Sequence, residues 1–266
     1  MPSRIKRRNA TDSRELFERA QLPRAIAALA APMVVSQMVV LAYNMADTWF
    51  IGQTGNPDQV AALTVTYPVF MLLNAVPNLF AVGGGSLVSR QLGEGNNARA
   101  GRTATATVWM AAVSALVFSV VMALMGRSLL GMLGVQGRVA EFAWHYLIFA
   151  CMIGAPFTIL NLVVAAIVRA EGKSAVASIG MVLGVLFNVI LAPLLIFVAD
   201  LQVAGAALAT ALSNATGLAF LIVYVIRHRE DSMVKLSLRP RAIPGSDARS
   251  IIAIGILGHI PRIGIQ

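Results

Sequence analysis

The sequence predicts an all-α integral membrane protein, a bundle of six transmembrane helices followed by the opening of a seventh. Three observations carry that reading. Of the 266 residues, 58% are hydrophobic and only 12% charged, against about 25% charged in a typical soluble domain. Apolar runs long enough to cross about 30 Å of hydrocarbon, at about 1.5 Å per helical residue, recur along the chain. The basic residues, which give a net charge of +9, are sorted between alternate connections instead of being spread evenly.

Residues 1–25 form a basic tail that carries Arg4, Lys6, Arg7, Arg8, Arg14, Arg19 and Arg24. A polar stretch of this length before a long apolar run is not the pattern of a cleavable signal peptide. The six-helix lobe covers 26–226, with spans at 26–51, 60–88, 103–125, 142–168, 175–199 and 203–226. Arg90, Arg99 and Arg102 follow the second span, Arg169 and Lys173 the fourth, and Arg227, Arg229, Lys235, Arg239, Arg241 and Arg249 the sixth. The alternate connections hold only Arg127 and Arg138. By the positive-inside rule the N-terminus and the far end of the lobe face the cytoplasm, in a cell (inner) membrane. The basic charge then needs no nucleic acid to explain it. Segment 127–141 mixes Leu129, Leu130, Met132 and Leu133 with two arginines and reads as a short interfacial helix. Residues 227–249, with Pro240 and Pro244, read as a cytoplasmic linker. Residues 250–266 read as the start of a truncated seventh helix. Cys151 is the single cysteine, so no internal disulfide forms.

Asp47 is the one carboxylate well inside a span. A charge there is costly, so by default it faces a wet cavity or a partner. Asn44, Tyr43, Gln37 and Ser36 precede it at helical spacing, which makes a polar stripe aimed into a bundle. Gln37 and Asn44 are therefore candidate cavity-lining residues. Burial away from bulk water would let Asp47 take up and release a proton. Pro32, in the same helix, removes a backbone hydrogen bond and predicts a kink. Gly180, Gly184, Asn188 and Ala192 fall four apart, as do Gly205, Ala209 and Ser213; such faces read as helix-packing seams. The run Gly83-Gly84-Gly85 also reads as packing. His145 sits beside Trp144 and Tyr146 in an interfacial aromatic cluster. The chain carries no HExxH, paired-cysteine, Walker-type or GxSxG pattern, so neither an enzyme nor a bound cofactor is expected.

Several segments resemble the multidrug and toxic compound extrusion (MATE) family. They are the first helix from Ala31-Pro32 through Asp47 to Gly52, Ser89-Arg90-Gln91-Leu92-Gly93-Glu94-Gly95-Asn96, Arg169-Ala170-Glu171-Gly172, and Asn188 through Pro193 followed by Gly205 to Thr210. The resemblance implies one lobe of a two-lobed antiporter that exports amphiphilic, often cationic drugs and alternates access across a central cavity. It implies that Asp47 binds the coupling H⁺ or Na⁺, that Asn188 and Thr210 complete the cluster, and that Tyr43 stands one turn from Asp47. No other metal is implied. Many members have a second Asp four residues after the asparagine, where this chain has Ala192. The family also carries two lobes, so a complementary second lobe is an expected partner, beside membrane lipid and small-molecule substrates. Two other readings compete: a lipid-precursor flippase of similar design, and an inactive truncated membrane fragment. A flippase would need intramembrane Arg or Lys for an anionic headgroup, and the six spans hold none away from their margins.

Overall fold

The computed structural model describes positions 34, 38, 41 and 45 and residues 48–229, 232–234 and 245–257. Among the described residues every regular element is helical. Helix α1 is described at 34, 38, 41, 45 and 48–52. Val34, Met38, Leu41, Met45 and Trp49 are all exposed, and their spacing puts them on one side of the helix; Leu41 on that side lines a cavity together with Thr48.

Helix α2 (Pro57–Gly93) starts where the Asn56 side chain accepts a hydrogen bond from the Asp58 N–H at 3.0 Å, with Pro57 supplying a preset φ. The turn after it uses Gly95 at φ +74° and Asn96, whose side chain accepts from the Arg99 N–H at 3.1 Å to cap α3 (Asn97–Met132). Helix α3 runs on through Arg127 to Met132, so 127–141 is not one interfacial helix. Residues 128–132 continue the apolar run. Arg127 lies over the Trp144 ring at 5.0 Å, a contact that favours a cation without breaking the helix.

The fourth span is α4 (Gly137–Leu147), a π-helical turn (Ile148–Ile153) and α5 (Ala155–Ala170), with a 47° bend at Gly154. Pro156, in the first turn of α5, has no N–H to give to the preceding turn. A Cβ at Gly154 would lie 2.7 Å from the Ala150 and Phe149 carbonyl oxygens. The kink expected at Pro32 lies outside the described residues, and the one at Gly154 was not expected from the sequence.

Helix α6 (Ser174–Pro193), a second π-helical turn (Leu194–Val198) and α7 (Gln202–Arg227) pack as a pair. The small-residue faces meet as expected. A Cβ on Gly184 would lie 3.0 Å from the Ser213 carbonyl oxygen, and one on Gly205 2.8 Å from that of Leu195. Close backbone approach is what holds helices together where lipid removes the hydrophobic drive. Helix α8 (Gly245–Leu257) lies along α2. A Cβ on Gly83 would overlap the Ile251 carbonyl, and one on Gly255 the Leu79 carbonyl. Gly84 packs on Thr107, so the glycine run is a packing device.

Helices α2, α3, α6 with its π-helical turn, and α7 are each long and apolar enough to cross a membrane, and the bent α4–α5 pair makes a fifth. Exposed Leu116, Val120, Leu124, Leu186, Ile190 and Ile222 supply an apolar outer surface. The connections that carry Arg90, Arg99, Arg102, Arg169 and Lys173 gather at one end. There Ser89 donates to the Ala170 carbonyl at 3.5 Å, and Lys173 lies over the Tyr224 ring at 5.6 Å.

Candidate functional site

Two adjoining cavities open between the helices. The smaller, about 210 Å³, is lined on its polar side by Asn74 and Asn78 of α2, Asn161 of α5, Asn188 of α6, and Thr210 and Asn214 of α7. The larger, about 690 Å³, shares Phe70, Asn74, Asn78 and Thr210 with it and adds Thr48, Tyr67 and Tyr146. Each asparagine sits in an otherwise apolar helix, where a buried amide is retained only if it is hydrogen-bonded or hydrated.

The bonds form a short chain. Asn188, 2% exposed, donates from Nδ2 to the Thr210 hydroxyl at 3.3 Å. Asn161 donates from Nδ2 to Asn214 Oδ1 at 3.1 Å, and Asn214 donates from its own Nδ2 to the Thr210 carbonyl at 3.0 Å. Asn74 turns its Nδ2 back to the Phe70 carbonyl at 2.8 Å, which leaves its Oδ1 available to the cavity. Asn161 Oδ1 and Ser213 Oγ are buried with no partner in the structure. Unsatisfied acceptors are expensive, and water or a ligand's donor relieves them. Among the described residues, none that lines either cavity is charged.

The structure therefore brings Asn188 and Thr210 together, two of the residues singled out in the sequence. Asp47, Tyr43, Asn44, Gln37 and Pro32 lie outside the described residues; Thr48, next to Asp47 in sequence, lines the larger cavity. Ala192, where the family's second carboxylate would stand, is fully buried in an apolar cluster with Ile196, Val203 and Ala206. Sequence reasoning missed Asn74, Asn78, Asn161 and Asn214. The available signal was an amide at membrane depth within an apolar run, two of them in α2 and one each in α5 and α7. His145 is exposed, whereas Tyr146 turns inward.

Residues 32–194 match the MatE family model. The chain is 33% identical over 214 residues to the multidrug export protein MepA of Staphylococcus haemolyticus, a match covering 80% of this chain and 47% of that protein. It is 31% identical over 248 residues to MepA of Staphylococcus aureus strain NCTC 8325, covering 93% and 54%. Among solved structures it resembles a multidrug resistance MATE family transporter of the MOP superfamily in an outward-facing conformation. The TM-score is 0.81 at 28% identity, over 87% of this chain and 51% of that one. The chain thus spans about half the length of the curated relatives it matches. These relatives are export proteins and not enzymes by name. Their likeness, the family match and the apolar helices show that the chain is a multi-pass membrane protein that belongs to the MatE family of multidrug export transporters.

Proposed function

We propose that this chain is the ligand-handling lobe of an antiporter that carries amphiphilic, mostly cationic small molecules out across the cytoplasmic membrane in exchange for H⁺ or Na⁺. The observation that carries this is the amide-lined chamber, uncharged among the described residues, with Tyr67, Phe70 and Tyr146 on its wider side. Amide oxygens, hydroxyls and aromatic faces suit an organic cation. An anionic headgroup would call for Arg or Lys, so the lining disfavours the lipid-precursor flippase.

Asp47 is the coupling group in this reading, with Asn188 and Thr210 as its neutral partners and Tyr43 one turn away. Residue periodicity supports the assignment. A regular helix that leaves Val34, Met38, Leu41 and Met45 exposed would turn position 47 about 150° away from them, toward the other helices of the bundle. When Asp47 holds a proton the site is neutral and releases its cationic cargo; when the proton leaves, the carboxylate draws the next cation in. The basic end of the bundle is the cytoplasmic one, and the N-terminus lies on that side. A complementary lobe closes the cavity from the opposite side.

Export is tested with these 266 residues alone. Cells producing the chain should accumulate less ethidium than cells carrying an empty vector. Equal accumulation, with the protein present in the membrane, would leave an inactive fragment as the better reading.

A further inference from the structure

At the basic end, two nearly buried carboxylates tie other segments to the six-helix bundle. Asp247, in the first turn of α8, has a side chain only 4% exposed. It accepts two hydrogen bonds from Arg99 in the first turn of α3, Nη2 to Oδ1 at 2.7 Å and Nε to Oδ2 at 3.3 Å. Glu171, in the turn between α5 and α6, accepts from the Ser232 hydroxyl at 2.6 Å and the Val234 N–H at 3.0 Å through one oxygen, and pairs with Lys173 at 2.8 Å through the other. Val234 is 1% exposed and packs among Val88, Ala100, Ala104 and Ile167.

The two ties differ in kind. The Glu171 carboxylate is satisfied by three donors beside a packed valine, so breaking that tie would strand a buried charge. The Arg99–Asp247 pair is a two-pronged ionic contact whose cation is 42% exposed and whose carboxylate is buried at 4%, so it parts without a stranded charge only if Asp247 leaves its burial together with α8. Next to it, the backbone crossing of Gly83 and Gly255 with Ile251 and Leu79 admits α8 only in full register. Tight packing of this kind is either made or lost, not gradually loosened.

We propose that Arg99 and Asp247 are the latch of a clasp that holds α8 on the bundle while the basic side is closed. The latch parts when that side opens, and Glu171 keeps residues 232–234 anchored throughout. The proposal rests on the alternating-access reading above, and its test needs no transport. Spin labels go on Arg102→Cys and Arg249→Cys, both exposed positions, in a Cys151→Ser chain in nanodiscs. The parent should give one short, narrow inter-label distance. Asp247→Asn, or Arg99→Gln, should lower that short population about tenfold, as loss of one partner of a buried pair predicts. The exchanged pair Arg99→Asp with Asp247→Arg should restore it, and Glu171→Ala should leave it in place. A short population untouched by either neutral variant would overturn the latch, as would one lost equally in Glu171→Ala. A latch that behaves as expected in a chain that exports nothing would sink the antiporter reading alone.

Discussion

Asp47→Asn should lower ethidium export at least about a hundredfold, with the variant still folded and present in the membrane, because an amide of the same shape cannot give up a proton or balance a cation. The large effect follows from the composition of the chamber. Its described lining is uncharged and Ala192 holds the place of a second acid, so no neighbouring carboxylate takes over the role. The coupling ion is read in the same assay. Collapse of the proton gradient should stop export if H⁺ is the driver, and collapse of the Na⁺ gradient if Na⁺ is. Undiminished export by Asp47→Asn would show that position 47 carries no coupling.

The second large effect is expected at Gly83→Val. A Cβ at that position would overlap the Ile251 carbonyl oxygen, lie 2.8 Å from the Ile251 carbonyl carbon and 3.2 Å from the Gly255 nitrogen. All three are backbone atoms, which cannot rotate aside as a side chain can, so α8 must leave its seat on α2. A thiol at position 251, where Ile251 is fully buried, reports the change. In the Cys151→Ser, Ile251→Cys chain, Gly83→Val should raise maleimide labelling about a hundredfold, the scale of a lost close-packed contact of about 3 kcal/mol. Labelling equally slow with and without the Gly83→Val change would mean that α8 tolerates a side chain there and that the crossing is loose.

Much of the architecture is legible in the amino-acid sequence alone. Apolar length marks the helices well, because a span must satisfy its backbone internally and bury nothing charged. The glycine faces of α6 and α7 are legible because close packing in lipid selects small residues at a spacing of four. Two boundaries are misread for a physical reason. Arg127 looks like a break, yet the Trp144 ring receives it. The bend at Gly154 comes from a proline in the first turn of α5, combined with carbonyls that leave no room for a Cβ, and neither shows in a hydropathy pattern.

The chamber is half legible. Asn188 and Thr210 stand out through family resemblance, and the structure joins them by a hydrogen bond. Asn161 and Asn214 do not, since each is a single amide in an apolar run and only the pairing of α5 with α7 sets them together. Glu171 is visible as part of a turn motif, but its bonds to Ser232 and Val234 span about sixty positions of chain and follow from the tertiary fold.

The claim on which the rest depends is that an organic cation sits in the amide chamber. Equilibrium binding of ethidium to the purified chain, followed by fluorescence polarisation, tests it directly. The paired change Asn74→Leu with Asn188→Leu removes two of the amides that line the cavity and keeps side chains of similar size. Binding should weaken about a hundredfold, as expected when two polar anchors are lost from a largely apolar site, while an anionic dye stays unbound by either form. Ethidium held with the same affinity by parent and doubly substituted chain, or the anionic dye held as well as the cation, would contradict it.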